Sequence, residues 1–257
     1  MLHHYRTLST LSALLLTGVL GMAAAPVQAG EWFGSKTVTG SGNPGSAKRE
    51  LAPFHGIAVD LHGKIELIQG NTENVVVEAD DNHLPLIETV VTNGQLRIRT
   101  VKGFNLPGSA KIKVTVHMRN IDKLSLAGSA DLTAARLSSP KLASNIAGSG
   151  TITIKELQSD DLAISIAGSG RFEAQGAAKT MDVSIAGSGD VSTAKLSTQD
   201  ATVSIAGSGN AVVWVRKALS VSIAGSGDVR YYGEANLRDA STMGSGRIKQ
   251  LGASPPV

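Results

Sequence analysis

The chain has 257 residues, with 24 Lys plus Arg against 21 Asp plus Glu and a formal net charge of +3. Charge so nearly balanced and spread along the whole length gives no electrostatic case for nucleic acid. Cysteine is absent, which excludes disulfides, thiolate metal sites, a cysteine nucleophile and a lipid anchor on an N-terminal cysteine.

Residues 1–29 carry the pattern of a secretory signal peptide. Arg6 precedes an apolar run from Leu11 to Leu20 that continues through Met22-Ala23-Ala24-Ala25, and Val27-Gln28-Ala29 places cleavage after Ala29. Thr17 and Pro26 interrupt the run short of the roughly 20 apolar residues that a membrane span needs. No later segment is long or apolar enough, so no membrane span is expected. Removing Arg6 leaves 23 basic against 21 acidic side chains, a net charge of +2. The expected protein is exported, to the periplasm or to the extracellular surface of a bacterium. Residues 30–52 are rich in Gly, Ser, Thr and Lys with no apolar periodicity, the composition of a flexible leader. Trp32 and Phe33 stand out in it and are read as an incidental pair in a mobile tail.

A β-rich half follows over residues 53–123, expected to be irregular. Ile57-Ala58-Val59-Asp60-Leu61 and Lys64-Ile65-Glu66-Leu67-Ile68 alternate on either side of His62-Gly63, and Gln69-Gly70-Asn71 turns into Val75-Val76-Val77. Leu84 to Val91 is assigned to a strand. Asn93-Gly94 between Val90-Val91 and Leu96-Arg97-Ile98 is a two-residue hairpin signal. Lys111 to His117 alternates as another strand.

Repeats occupy residues 124–252, leaving 253–257 as a tail. Ser-Ile-Ala-Gly-Ser-Gly stands at Ser165–Gly170, Ser184–Gly189, Ser204–Gly209 and Ser222–Gly227. Looser copies lie at Gly128-Ser129, Gly148-Ser149 and Gly244-Ser245. The seven glycines are spaced 20, 20, 19, 20, 18 and 19 residues apart. Aligned on them, Leu126, Ile146, Ile166, Ile185, Ile205 and Ile223 form one apolar column. Leu124, Ser144, Ile164, Val183, Val203 and Val221 form a second, two positions earlier. Strand side chains alternate, so both columns face one core. A third column, Leu132, Ile152, Phe172, Val191, Ala211, Val229 and Ile248, follows each glycine by four residues; Leu137, Leu157, Ala177 and Leu196 come five later. The fold class is therefore all-β: a parallel β-solenoid of about seven coils of 18–20 residues, each turning a corner at glycine. Such a corner needs positive φ or close backbone approach. The polar Ala240, Ser241 and Thr242 suit a capped last coil, with residues 54–118 covering the other end.

Chemistry-bearing patterns are sparse. Gly-Ser-Gly precedes a strand here, whereas a phosphate cradle needs a helix N-terminus. A calcium ladder is opposed by the column Asp131, Thr151, Arg171, Asp190, Asn210, Asp228 and Arg247, which contains two arginines. Asp80-Asp81 and Asp160-Asp161 are neighbours on extended chain, pointing to opposite sides, so neither doublet is a catalytic pair. His55, His62, His83 and His117 lack metal-ligand spacing. No catalytic, cofactor-binding or metal-binding residue is assigned, and no cofactor. What remains is an outward face of small residues: Ser165, Ala167, Ser184, Ala186, Ser204, Ala206, Ser222 and Ala224. Small residues let coils stack, and they also make a flat surface that dries easily.

The Phe54-His55-Gly56-Ile57 start, Asn93-Gly94-Gln95-Leu96-Arg97-Ile98, the Gly-Ser-Gly repeats, Val229-Arg230-Tyr231-Tyr232-Gly233 and Gly244-Ser245-Gly246-Arg247-Ile248 together resemble the head GIN domain family. This is an auto-transporter adhesin-like domain of unknown function found in exported bacterial proteins. The resemblance covers 53–252 and implies an all-β, solenoid-like fold with no catalytic residues to carry over. Many relatives are lipid-anchored at an N-terminal cysteine, which this chain lacks.

Two functions follow. One is a non-catalytic envelope protein, an adhesin or a binding or structural module, whose partner is an envelope protein, a glycan or its own copies. The other is a glycan-active enzyme, a polysaccharide lyase or hydrolase, on a β-solenoid. A groove that gathers two or more carboxylates is what the second requires.

Overall fold

The computed structural model describes residues 35–256; the expected signal peptide and the Trp32-Phe33 pair lie outside them. The described residues are all-β and stack as a β-solenoid.

Within 35–52 the expected flexible leader is replaced by two strands. β1 (Lys36–Thr37) pairs in parallel with β8 (Phe104–Asn105), and β2 (Pro44–Arg49) runs antiparallel to β5 (Asn74–Asp80). The sequence hides β2 because no position in it is buried. Backbone pairing holds it, together with Arg49, whose guanidinium donates to the carbonyl oxygens of Leu84 and Ile87 and to Thr89 Oγ1. Burial pushes the Arg49 pKa below its ordinary value. Leu84 to Val91 also divides: Leu84–Leu86, containing Pro85, is a 3-10 turn, and the β-branched run becomes β6 (Ile87–Thr92). Asn93-Gly94 makes the expected hairpin into β7 (Gln95–Thr100), both residues at positive φ.

The half expected to be irregular continues the solenoid. β3 (Gly56–Asp60) and β4 (Lys64–Gln69) form one coil, β7 and β9 (Lys113–Met118) another. β3 lies between β7 and β10 (Lys123–Gly128), while β4 lies between β9 and β11 (Asp131–Ala134), all in parallel. The chain thus begins in the second coil, goes out to build the first, and returns past the second to start the third. The first coil is closed by antiparallel β6 against β7 and β5 against β9, with Phe54, Val75, Val77 and Ile87 buried.

From there each coil has three sides. In β13 (Thr151–Gly168) Asp161–Gly168 forms side 1, ending at the glycine corner. Thr151–Ile154 lies on side 2 and Leu157–Ser159 on the short side 3. β12 (Leu137–Gly148), β14 (Arg171–Gly187), β15 (Asp190–Gly207) and β16 (Asn210–Gly225) stack on it in register. The corner glycines pair in succession from Gly128 through Gly148, Gly168, Gly187, Gly207 and Gly225 to Gly244. Gly187 shows why the position is glycine: φ is +124°, and a Cβ there would lie 2.5 Å from Gly168 O. The next residue, Ser188, donates its backbone N–H to that same oxygen at 2.9 Å.

The expected core columns are buried, including Ile146, Ile166, Ile185, Ile205 and Ile223 at 1–2% exposure, except at Ile248 in the last coil, which is only partly covered. One column needs correcting. Gly176, not Ala177, pairs with Leu157 and Leu196, while Ala177 pairs with the outward Gln158 and Ser197. The coil from Gly168 to Gly187 is one residue short, and the deletion falls in the turn before side 3, so a fixed count overshoots by one.

The last coil is the exposed end of the stack. β17 (Asp228–Tyr232) and β18 (Asn236–Gly244) pair with β16, and β19 (Arg247–Gly252) pairs with β17. Every residue of β18 is exposed.

Candidate functional site

The outward face expected from the sequence is present. Ser165, Ser184, Ser204 and Ser222 pair directly along one row of side 1, and Ala167, Ala186, Ala206 and Ala224 along the next but one. All eight are exposed. The buried Ile166, Ile185, Ile205 and Ile223 between the rows force the alternation. Toward the first coils the rows pass into the half-buried Ser125, Ala127 and Asn145. At the other end they finish on Ser241 and on Met243, which is 75% exposed. Hydroxyl bonding along the serine row has one rung among the described residues, Ser222 Oγ to Ser241 Oγ at 3.4 Å.

Sequence reasoning does not single out side 3, yet it forms a groove of about 430 Å³. Its floor is the row Ser138, Gln158, Ala177 and Ser197; the row then meets Trp214 and Tyr232 on the next two coils. Asp160, Lys179, Gln199 and Arg216 stand along one wall. Lys179 Nζ lies 2.6 Å from Asp160 Oδ1, and this bond raises the lysine pKa. Lys217 donates to Gln199 Oε1 at 2.7 Å. Arg216 has no carboxylate within 4.0 Å among the described residues. The aromatic pair does leave a signal in the sequence: Trp214 and Tyr232 are 18 residues apart, the step from Gly207 to Gly225.

A second groove, of about 780 Å³, brings together Glu78, Asp80 and Asp131 with Lys64, Lys111, Lys113 and His62. Carboxylates therefore do converge, but interleaved with an equal number of lysines. Lys113 Nζ sits 3.2 Å from Glu66 and 3.9 Å from Glu78.

Several acidic residues are bound to their neighbours. Asp160 goes to Lys179, whereas Asp161 accepts from Thr180 Oγ1 at 2.8 Å and faces Lys141 at 3.5 Å, so the doublet diverges as expected. Asp81 accepts from Ser41 Oγ in a turn. The column that would have to ligate calcium is a ladder of protein partners: Asp190 meets Arg171 and Asn210, and Asp228 meets Arg247 at 3.2 Å. The Thr180 hydroxyl holds Asp161, the Arg247 guanidinium holds Asp228 and the Ser41 hydroxyl holds Asp81 below the usual carboxylate range. A proton donor needs the opposite displacement. No group of three His, Asp or Glu among the described residues could hold a metal.

The family model described as "Putative auto-transporter adhesin, head GIN domain" matches residues 53–235. The chain belongs to the head GIN domain family. The matched span stops before β18 and β19. A crystal structure from Bacteroides fragilis, described as a putative adhesin, superposes with a TM-score of 0.76 at 20% identity, covering 83% of this chain and all of that one. A protein from Parabacteroides distasonis described as a putative lipid binding protein gives 0.68 at 24% identity, covering 84% and 100%. A putative adhesin from Parabacteroides merdae gives 0.68 at 22%, covering 84% and 99%. At these identities the likeness is one of fold. No curated protein matches the chain in sequence. Among the described residues of this head GIN domain no helix is long and apolar enough to cross a membrane.

Proposed function

We propose that this head GIN domain is an exported, non-catalytic binding module of the bacterial envelope that associates laterally through side 1, with its own copies or with an envelope partner. The observation that carries the reading is the pair of unbroken rows of exposed Ser and Ala, with no Lys, Glu or Pro in either. Small side chains lose little rotamer entropy when covered, so a modest area suffices for association. The family's adhesin description and the N-terminal apolar run after Arg6 support the surface location. A glycan-active enzyme is the weaker reading, because the carboxyls with displaced titration are all held low and the groove that gathers Glu78, Asp80 and Asp131 is matched by three lysines.

The test is the double variant Ala186→Arg with Ala206→Arg. Both side chains point to solvent, so circular dichroism is expected to stay that of the wild type. Light scattering and capture from envelope extract are expected to show that association through side 1 is abolished. A wild type that is monomeric, with capture unchanged by the two arginines, would leave side 1 a purely structural face.

A further inference from the structure

We propose that the side 3 groove, with Trp214 and Tyr232 as its stacking ledge, is a binding site for a uronate-containing polysaccharide. The proposal accepts a binding module but locates the ligand away from side 1, so the two readings fail separately.

The shape comes first. Ser138, Gln158, Ala177 and Ser197 make a floor of mostly small, polar residues running across four coils, open along its length. Small-molecule sites are concave and mostly apolar. An open polar trough parallel to the stack instead suits an extended hydrophilic polymer.

The aromatic ledge arises from coil length. β15 has three residues between Thr193 and Ser197, the last of them the buried Leu196, and the shorter β16 has no counterpart to them: Thr193 pairs with Val213 and Ser197 with Trp214. Val213 and Val215, both fully buried, fill the core on either side, so Trp214 points out and keeps part of its surface exposed. Tyr232 pairs directly with it, one strand spacing away, about 4.8 Å. Two outward rings in one row, at the end of a polar trough, present flat apolar faces beside hydrogen-bonding groups. A pyranose has that same mixture, with C–H faces to stack and hydroxyls to pair with Gln158, Gln199 and Ser197.

Charge selects the acidic sugar. Asp160 is neutralised by Lys179, while Arg216, two residues past Trp214 and exposed, has no acidic partner among the described residues. An unpaired guanidinium beside a stacking ring matches a sugar carboxylate, which it can grip through two parallel hydrogen bonds.

The experiment uses the full chain and calorimetric titration with polygalacturonate, alginate and hyaluronate, with neutral dextran and inorganic polyphosphate as controls. Because the chain has two tryptophans, Trp32→Phe isolates Trp214 emission for a parallel fluorescence readout. At least one uronate polymer is expected to bind and shift that emission, with dextran inert. Arg216→Gln and Tyr232→Ala are each expected to weaken binding about tenfold, Trp214→Phe much less. Ala186→Arg with Ala206→Arg is expected to leave it unchanged. Absence of binding to all three uronate polymers overturns the proposal. So does polyphosphate binding as tightly with Tyr232→Ala silent, which marks bare charge attraction.

Discussion

The repeat half and the N-terminal half bury their cores by the same alternation, but they differ in how chain order maps onto space. From β10 onward each coil lies on the one before it, so an aligned column in the sequence is a column in the structure. Before β10 the second coil is built first, and antiparallel β5 and β6 close the end of the stack. A repeating stack has no built-in end. The N-terminal half supplies one by reversing strand direction, while the C-terminal end keeps β18 fully exposed. Local regularity thus builds the body of this protein, and irregular sequence is spent on terminating it.

The largest effect is expected in the body. Ile205→Asp places a carboxylate in a site 2% exposed, so a loss on the order of 5 kcal/mol is expected, with no cooperative thermal transition. An unchanged melting curve would reverse the inward and outward columns. Next come the corners. Gly187→Val is expected to cost about 3 kcal/mol, because the added carbon meets Gly168 O and φ is positive. Gly108→Val, in the N-terminal half with open space and no left-handed φ, is expected to stay within about 1 kcal/mol, and Ser188→Ala within about 0.5 kcal/mol. Equal melting temperatures for the Gly187 and Gly108 variants would remove the strained corner from the account.

A smaller effect separates the halves. Arg49→Ala leaves the carbonyls of Leu84 and Ile87 without their charged donor, at a cost of about 1–3 kcal/mol. Hydrogen exchange is expected to quicken in β2, β5 and β6 and to stay slow in β13 to β15. Uniform acceleration would mean that cap and body open as one unit. The smallest effect is in the last coil. Asp228 is held low by Arg247, so its contribution is present above the unfolded carboxylate value of about 3.9 and is lost as pH falls through the lower folded value. Asp228→Asn is expected to speed exchange in β19 at pH 7, by a margin that narrows as pH falls and Asp228 takes up its proton. A margin that does not change with pH would assign the effect to something other than the charge.

How much is legible depends on where each residue's partner lies. The Ser165 to Ala224 face can be drawn from the sequence because its neighbours are one period away and the buried isoleucines fix its direction. The groove on side 3 escapes because it joins residues from turns of unequal length. Counting across a deletion places Ala177 inward, and Trp214 arrives on the ledge only because its coil is shorter. β2 escapes for another reason: with no buried position it leaves no apolar trace, and its pairing with β5 is settled by backbone groups and by Arg49.

The sequence by itself determined the period, the inward columns, the glycine corners and therefore the parallel solenoid, since each follows from packing repeated between adjacent coils. Tertiary structure alone decided the order of the first two coils, which end is closed, and which turn residues share a groove. Those depend on long-range strand pairing, where backbone hydrogen bonds choose the partner and side chains record the choice only weakly.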